Sequence, residues 1–133
     1  MQNKWIRWLK MKFLDTNVLA YAFYQNDHTE RCQKAIFDGG VVNALNLVEA
    51  FFIIEKETSK ERAQKAIKSL LKSNLKIIDL DINLIFDAMK KIDRKKLSIF
   101  DMIHYASALK NSCDVILSYD TDFDNLEIPR EEP

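Results

Sequence analysis

The chain has 133 residues, of which 47% are hydrophobic, and its 20 basic and 20 acidic side chains give a formal net charge of zero. This composition is typical of one soluble globular domain, and the length is sufficient for a hydrophobic core without metal or disulfide support. The two Gly and two Pro residues exclude a collagen-like chain and a long disordered linker. Cys32 and Cys113 lie far apart and outside any metal-binding spacing, which favours a reducing, cytoplasmic location.

The two ends of the chain differ from the domain between them. Residues 1–10, MQNKWIRWLK, are basic and lack the apolar segment of a secretion signal. They are either an extension upstream of a translation start at Met11 or an amphipathic segment whose tryptophans dock on the domain or on a partner. We expect one domain over 11–128 and an acidic tail over 129–133. The longest apolar stretch, 41–54, is interrupted by polar residues, so we expect no membrane partner.

Strand-like and helical patterns alternate along the chain. In chain order, the first half is predicted to contain a strand over 12–14, a helix over 18–24, a helix over 29–37, a strand over 41–44 and a helix over 47–56. The second half is predicted to contain an amphipathic helix after Ser59, a strand over 75–80, helices over 82–91 and 98–111, a strand over 115–117, a helical turn over 123–126 and an edge strand over 127–128. Because helices separate the strands, the sequence predicts an α/β domain with a parallel sheet and helices on both of its faces.

Polar residues mark the predicted helix starts. Thr29, Asn46 and Ser59 each stand where a helix cap is expected. Ser98 followed by Asp101 has the Ser-x-x-Asp form of a capping box. The corresponding helices are therefore expected to begin next to these positions.

Four acidic residues coincide with one rim of the predicted sheet. In a parallel sheet, the carboxyl ends of the strands and the amino ends of the helices lie at the same rim, where α/β proteins bind their ligands. The acids that follow a strand or open a helix are Asp15, Glu49, Asp101 and Asp120. Each also has an ordinary structural interpretation, as a partner of a helix dipole or as a turn residue.

Carboxylates that converge on one rim repel one another unless they are protonated or bind a cation. Oxygen ligands alone favour Mg²⁺ or Mn²⁺. A divalent ion in such a place suits phosphodiester hydrolysis, because it polarises the phosphoryl oxygens, activates a water and neutralises the leaving 3′ oxygen. The acidic rim therefore indicates metal-assisted hydrolysis.

Four short motifs follow one another along the chain. They are Phe13-Leu-Asp15-Thr-Asn-Val-Leu19, Glu49 after a buried strand, Asp101-Met-Ile-His-Tyr-Ala-Ser-Ala-Leu109 and Leu117-Ser-Tyr-Asp120-Thr-Asp-Phe123. Together they resemble the PIN-domain nucleases, and especially the compact VapC toxin ribonucleases of toxin–antitoxin pairs. The resemblance covers nearly the whole chain, from Met11 to the region of Ile128.

The resemblance implies a three-layer α/β/α fold around a parallel sheet of four or five strands, with an Mg²⁺- or Mn²⁺-dependent endoribonuclease activity. The implied metal-binding and catalytic quartet is Asp15, Glu49, Asp101 and Asp120. The polar residues implied to orient carboxylates or water are Thr16, Asn17 and Ser118. The implied partners are an RNA substrate, a small antitoxin protein and a second copy of the chain.

Asp122 is expected to have a structural role beside this quartet. The two-residue alternation of a strand places Ser118 and Asp120 on the same side, so both reach the rim. Asp122 comes after the chain has turned, directly before residues 123–126, where its side chain is well placed to cap the helical turn. We therefore expect Asp120, and not Asp122, to be the fourth acid.

Three other features have competing interpretations. His104 is expected to be a packed or surface histidine and not a metal or substrate ligand. The basic run at 90–96 is either a solvated loop or a phosphate contact beside the acidic rim. Phe51 and Phe52 belong to an apolar block that core burial explains as well as a subunit interface does. We expect a homodimer through this block.

Two alternative functions remain open. Asp15-Thr-Asn-Val resembles the aspartyl-nucleophile loop of haloacid-dehalogenase phosphatases, in which Asp15 would form a phosphoenzyme. That loop needs a second acid where Asn17 stands. The other alternative is a non-catalytic module whose acidic rim binds a basic peptide. Assays of RNA cleavage, phosphatase activity and metal binding separate the three.

Overall fold

The computed structural model of the chain describes residues 10–91 and 96–133. The strands are β1 (Lys12–Leu14), β2 (Gly40–Asn43), β3 (Leu75–Ile78), β4 (Val115–Leu117) and β5 (Arg130–Glu131). The helices are α1 (Thr16–Tyr21), α2 (Thr29–Asp38), α3 (Ala44–Glu57), α4 (Lys60–Leu71), α5 (Ile82–Lys91) and α6 (Ile99–Lys110), with a short 3-10 turn over Thr121–Phe123. The alternation of strands and helices that the sequence predicts is thus confirmed.

All five strands are parallel and lie in the order β3-β2-β1-β4-β5. The first strand, β1, lies at the centre of the sheet; β2 and β3 are added on one side of it, and β4 and β5 on the other. In the β1–β4 pair, Leu14 is in register with Leu117. The residues that follow these two strands therefore emerge side by side at a topological switch point, the usual place for a ligand in open α/β sheets.

The side-chain alternation of the strands divides the core into two layers. Leu14 and Val42 face one layer, which α1, α2, α3 and α4 cover. Phe13 and Val41 face the opposite layer, which α5 and α6 cover. This arrangement is the three-layer α/β/α fold expected from the sequence, with a sheet of five strands.

Of the four predicted helix caps, Ser59 and Ser98 are present, whereas Thr29 and Asn46 are not the caps of their helices. Ser59 Oγ accepts a hydrogen bond from the amide of Arg62 at 3.1 Å, and Ser98 Oγ accepts one from the amide of Asp101 at 3.2 Å. The hydroxyl of Thr29 does not cap the second helix, because it donates to backbone carbonyls of the preceding loop. His28 occupies the cap position of that helix without a side-chain bond.

The edge strand expected over 127–128 lies instead at Arg130–Glu131, inside the segment predicted to be an acidic tail. Backbone pairing explains the shift, since Ser118 N donates to the Glu131 carbonyl at 3.0 Å. Ile128 is buried in the core, and its amide donates to the Tyr105 hydroxyl at 3.3 Å. The final residues of the chain therefore support the end of β4.

The N-terminal segment and the lengths of the helices bear on two further predictions. The N-terminal extension predicted over 1–10 lies outside the described residues, except for Lys10. In the ranges 10–91 and 96–133, every helix is too short or too polar to cross a bilayer.

Candidate active site

The switch point between β1 and β4 holds the first acid. Asp15 directly follows β1 and caps α1, with Oδ1 accepting the amide of Thr16 at 2.8 Å. Ser118, directly after β4, donates its hydroxyl to Asp15 Oδ2 at 2.7 Å. Burial raises the pKa of Asp15, although these hydrogen bonds favour the charged form. The supporting role predicted for Ser118 therefore has a direct contact.

Asp101 and Asp120 face this point from two other elements. Asp101 lies in the first turn of α6, and Asp120 is the third residue after β4. Burial first, and then the charges of Asp15 and Asp120, raise the pKa of Asp101 to about 6. A nearby cation would stabilise the charged form of Asp101, because it would offset the repulsion from Asp15 and Asp120.

Asp122 joins this group, contrary to the capping role expected for it. Asp120 Oδ1, and not Asp122, caps the 3-10 turn by accepting the amide of Asp122 at 2.9 Å. Carboxylate oxygens of Asp101, Asp120 and Asp122 all lie within 4.8 Å of one another. The turn begins two residues earlier than the sequence predicts, and Asp122 is inside it with an exposed side chain.

Glu49, on the first half of α3, lies at the same opening in a different environment. Its Oε1 accepts the hydroxyl of Thr16 at 2.9 Å and lies 2.5 Å from Nε2 of His104. Burial alone would raise the pKa of Glu49, but the contacts with His104 and Thr16 outweigh it and lower that pKa. Glu49 is therefore held as a carboxylate, and Thr16 is one of its hydrogen-bond donors.

His104 is a further candidate for a role in the site, beyond the packing role that the sequence predicts for it. It is packed, as expected, with 1% of its surface exposed, but it is packed against Glu49. Its spacing of three residues from Asp101 was the available signal, because both then face the same side of α6. Burial could be foreseen, whereas the partner could not.

The hydrogen bonds behind Glu49 form a buried network at the start of α3. Asn43, and not Asn46, caps this helix, and the two asparagines exchange backbone-to-side-chain bonds of 2.8 and 2.9 Å. Asn46 Nδ2 donates to the Thr16 hydroxyl at 3.0 Å. The cap predicted at Asn46 is wrong by one helical turn, because the helix already begins at Ala44.

One open cavity of about 420 Å³ brings the four predicted acids together with Thr16 and Asn17. Its mouth is apolar: Val48, Phe52 and Phe100 expose 66%, 69% and 52% of their surface. A floor of carboxylates below an apolar mouth can hold a cation and present it to a large ligand. The oxygen donors fit Mg²⁺ or Mn²⁺ and not the softer metals that thiolates select.

The basic run before α6 is described only in part. Lys90 and Lys91 end α5, and Lys96 is exposed two residues before the cap of α6. Arg94 and Lys95 lie outside the described residues. The phosphate contact considered for this run stays a prediction.

The chain is similar to known proteins in sequence pattern and in fold. The model of the PIN domain family matches residues 12–129. VapC20 of Mycobacterium tuberculosis, a toxin that cleaves the sarcin–ricin loop, is 16% identical with a TM-score of 0.78, covering 92% of this chain and 99% of that chain. No curated protein matches the sequence.

Two structures of toxin–antitoxin complexes are also similar to the chain. A chain from a complex of Klebsiella pneumoniae is 17% identical with a TM-score of 0.68, covering 90% of this chain and 94% of that chain. A chain of VapBC2 from Rickettsia felis, bound to a DNA fragment from their promoter, is 18% identical with a TM-score of 0.67, covering 92% and 98%. At these identities the structures share the fold.

Proposed function

The chain belongs to the PIN-domain family, and from this premise we propose that it is a metal-dependent endoribonuclease, the toxin of a toxin–antitoxin pair. The observation that carries the proposal is the convergence of four carboxylates in one cavity at the switch point of the sheet. One of them, Asp101, has a pKa of about 6, which reflects a place where an unpaired negative charge is costly.

In this proposal the protein holds a divalent cation, Mg²⁺ or Mn²⁺, and positions RNA against it. When bound, the cation supplies polarisation of the phosphate, activation of the attacking water and charge neutralisation at the leaving oxygen. The residues that hold it are Asp15, Glu49, Asp101 and Asp120, with Asp122 within reach. Ser118 and Thr16 orient Asp15 and Glu49 through the hydrogen bonds given above. Asn17 lines the same cavity, and we propose that it orients water there.

Two observations support an antitoxin partner: the apolar mouth of the cavity and the complexes in which similar chains are found. Exposed apolar side chains around a functional opening favour a protein partner that covers them. The similar chains from Klebsiella pneumoniae and Rickettsia felis come from complexes of a toxin with its antitoxin. We propose that a segment with apolar and basic side chains covers Val48 and Phe52 and neutralises the acidic floor. Both cysteines are free and buried, in keeping with the proposed cytoplasmic location.

Cleavage of RNA by the purified full chain tests the proposal. We expect cleavage with Mg²⁺ or Mn²⁺, products with 5′-phosphate and 3′-hydroxyl ends, and no cleavage in excess EDTA. Asp101→Asn should abolish cleavage at nearly constant side-chain volume, whereas Asp87→Asn, on the exposed face of α5, should retain it. Undiminished cleavage in EDTA or by the Asp101 variant would refute the metal mechanism.

The same experiment decides between the alternatives. No observation supports a phosphatase, because Asn17 stands where the second acid would be and the chain belongs to a different family. A module that binds without chemistry predicts Mn²⁺ or peptide binding with no RNA cleavage under any ion. That outcome would replace the nuclease proposal.

A further inference from the structure

Glu49 is held through one oxygen. Among the described residues, the hydrogen-bond donors that reach its carboxylate are Thr16 Oγ1 and His104 Nε2, and both meet Oε1. Two donors on the same oxygen fix the position of Oε1 in the cavity that Glu49 lines. The role of His104 then depends on which of its ring nitrogens carries the proton.

The orientation of Asn43 answers that question. The backbone amide of Asn46 can only donate, and it lies 2.9 Å from Asn43 Oδ1. The amide oxygen of Asn43 is therefore turned toward α3, and Nδ2 faces the opposite side. There Nδ2 lies 2.9 Å from Ser107 Oγ and 3.1 Å from His104 Nδ1.

Each hydrogen of Asn43 Nδ2 has one acceptor in this arrangement. Ser107 donates its own hydroxyl hydrogen to the Ile103 carbonyl at 2.9 Å, so its oxygen is free to accept from Asn43. The second hydrogen of Nδ2 points to His104 Nδ1, which must accept. A neutral imidazole that accepts at Nδ1 carries its hydrogen at Nε2, opposite Glu49.

We infer that His104 is a positioning residue of the proposed metal site, held by Asn43 in the Nε2–H tautomer so that it donates to Glu49. The other tautomer would place two donors face to face at Asn43 and two acceptors face to face at Glu49, in a region where His104 and Asn43 are fully buried. In the described part of the chain, every buried side-chain nitrogen and oxygen has a partner. Only the Nε2–H tautomer therefore gives every donor in this network an acceptor.

The inference rests on the proposed function, because it concerns Glu49 as a metal ligand. Hydrogen bonds that orient a ligand are worth about ten- to hundredfold in metal affinity. His104 would supply this orientation from α6, across the sheet from the helix that carries Glu49. It would act through Glu49, without contact with the RNA.

Nitrogen NMR of the metal-free protein tests the tautomer directly. The full chain is labelled with ¹⁵N-histidine, and the spectrum is recorded at pH 7.5 in EDTA. The sequence contains two histidines, so a His28→Gln variant assigns the signals. We expect a hydrogen on Nε2 and none on Nδ1 of His104. A hydrogen on Nδ1, or an average of the two tautomers, would overturn the inference.

Mn²⁺ affinity, measured by calorimetry, tests the consequence with a matched pair of variants. In His104→Gln the side-chain amide can reach the position of Nε2 and still donate, whereas His104→Leu removes the donor. We expect His104→Gln to bind Mn²⁺ within about threefold of the wild type and His104→Leu to bind about ten- to hundredfold more weakly. Both variants lose the ring, so a purely packing role would lower both melting temperatures and leave the two affinities equal.

The outcomes separate this inference from the proposed function. If the wild type binds no Mn²⁺, the proposed function fails, while the tautomer result still stands. If the wild type binds and His104→Leu binds equally well, the positioning role is wrong and the metal site remains. If His104→Leu does not fold, the tautomer and the affinity of His104→Gln decide, and a hundredfold loss in His104→Gln would count against the donor role.

Discussion

Asp101 carries a charge that the folded protein accommodates poorly. Its pKa is raised to about 6 by burial and by the nearby charges of Asp15 and Asp120. An aspartate in an unfolded chain has a pKa of about 3.9. Between these values the folded state binds more protons than the unfolded state, so the stability of the metal-free protein decreases as pH rises.

The decrease in stability with rising pH leads to a prediction for Asp101→Asn. We expect the variant to melt above the wild type in metal-free buffer at pH 7, because the asparagine carries no charge to be buried or repelled. The difference should shrink as the pH is lowered toward 4, where the folded wild type is protonated. Scanning calorimetry between pH 4 and 7.5 measures it, with Asp87→Asn as the exposed control. A difference that grows toward low pH would contradict the assigned shift.

Asp120 combines two roles that substitutions can separate. It belongs to the carboxylate cluster and also caps the 3-10 turn. Asparagine preserves the cap and removes the charge, whereas alanine removes both. We expect Asp120→Ala to be less stable than Asp120→Asn by about 0.5–2 kcal/mol, as for other lost caps. Both should lose most RNA cleavage.

Asp122 provides the comparison for that experiment. Because its side chain is exposed and does not cap the turn, Asp122→Ala should change the free energy of unfolding by less than about 0.5 kcal/mol. Urea denaturation of the three variants in EDTA measures these differences. A large loss in Asp122→Ala, with none in Asp120→Ala, would reverse the assignment of the cap.

At the scale of elements, the start of α3 shows which features of a helix a sequence pattern can predict and which it cannot. The helix was predictable from its apolar spacing, but its first turn was not, because Asn43 and Asn46 are both good caps three residues apart. The choice between them depends on His104 and Ser107, which lie 61 and 64 positions away in the chain from Asn43. No local pattern contains that information.

The N-cap of α3 should therefore be worth more than an ordinary cap. In Asn43→Ala, the helix loses its cap and the buried His104 Nδ1 loses its donor, so we expect a loss of about 2–4 kcal/mol in the free energy of unfolding. Ser59→Ala removes a cap at the partly exposed start of α4 and should cost about 0.5–2 kcal/mol. Chemical denaturation of the two variants compares them. Equal losses would mean that the buried network adds nothing.

The strands show a similar division between what was predictable and what was not. The central strands carry two or three consecutive buried apolar residues, so their positions and their parallel pairing followed from the sequence. β5 consists of Arg130 and Glu131, which have no strand signature and pair with β4 through their backbone. Its position depends on the whole sheet, including the Arg130 guanidinium that donates to the Ser118 carbonyl at 3.0 Å.

At the scale of the whole molecule, the switch point links the proposed metal site to stability. The acids of the cavity come from segments that only the folded sheet brings together, so the unfolded chain offers no comparable site. A cation that binds only the folded state stabilises it by mass action, by about 2.7 kcal/mol at a hundredfold excess over Kd.

We therefore expect millimolar Mn²⁺ to raise the melting temperature of the wild type by several degrees. The shift should be smaller for Asp15→Asn, which removes a charge from the switch point, and unchanged for Asp87→Asn. Differential scanning fluorimetry with and without Mn²⁺ provides the measurement. Equal shifts in all three proteins would place the ion elsewhere.

The apolar mouth of the cavity bears on how the molecule associates. Phe51 and Phe52 both lie on α3, where Phe51 is partly buried against the core and Phe52 is exposed at the mouth. The homodimer predicted through these residues would thus have to use Phe52 and would cover the acidic floor. A dimer of this kind and an antitoxin would compete for one surface, so RNA cleavage should require that the surface be open.

The last prediction concerns this dimer. If two copies associate through the mouth, Phe52→Ser should shift the wild-type dimer toward monomer, because an exposed aromatic side chain at the centre of an interface is a common anchor. Phe86→Ser, on the exposed face of α5, removes a similarly exposed phenylalanine away from the cavity and should leave the dimer intact. Light scattering at micromolar concentrations measures the mass of each protein. A monomeric wild type would refute the dimer, and loss of the dimer in Phe86→Ser alone would move the interface to α5, on the opposite face of the sheet.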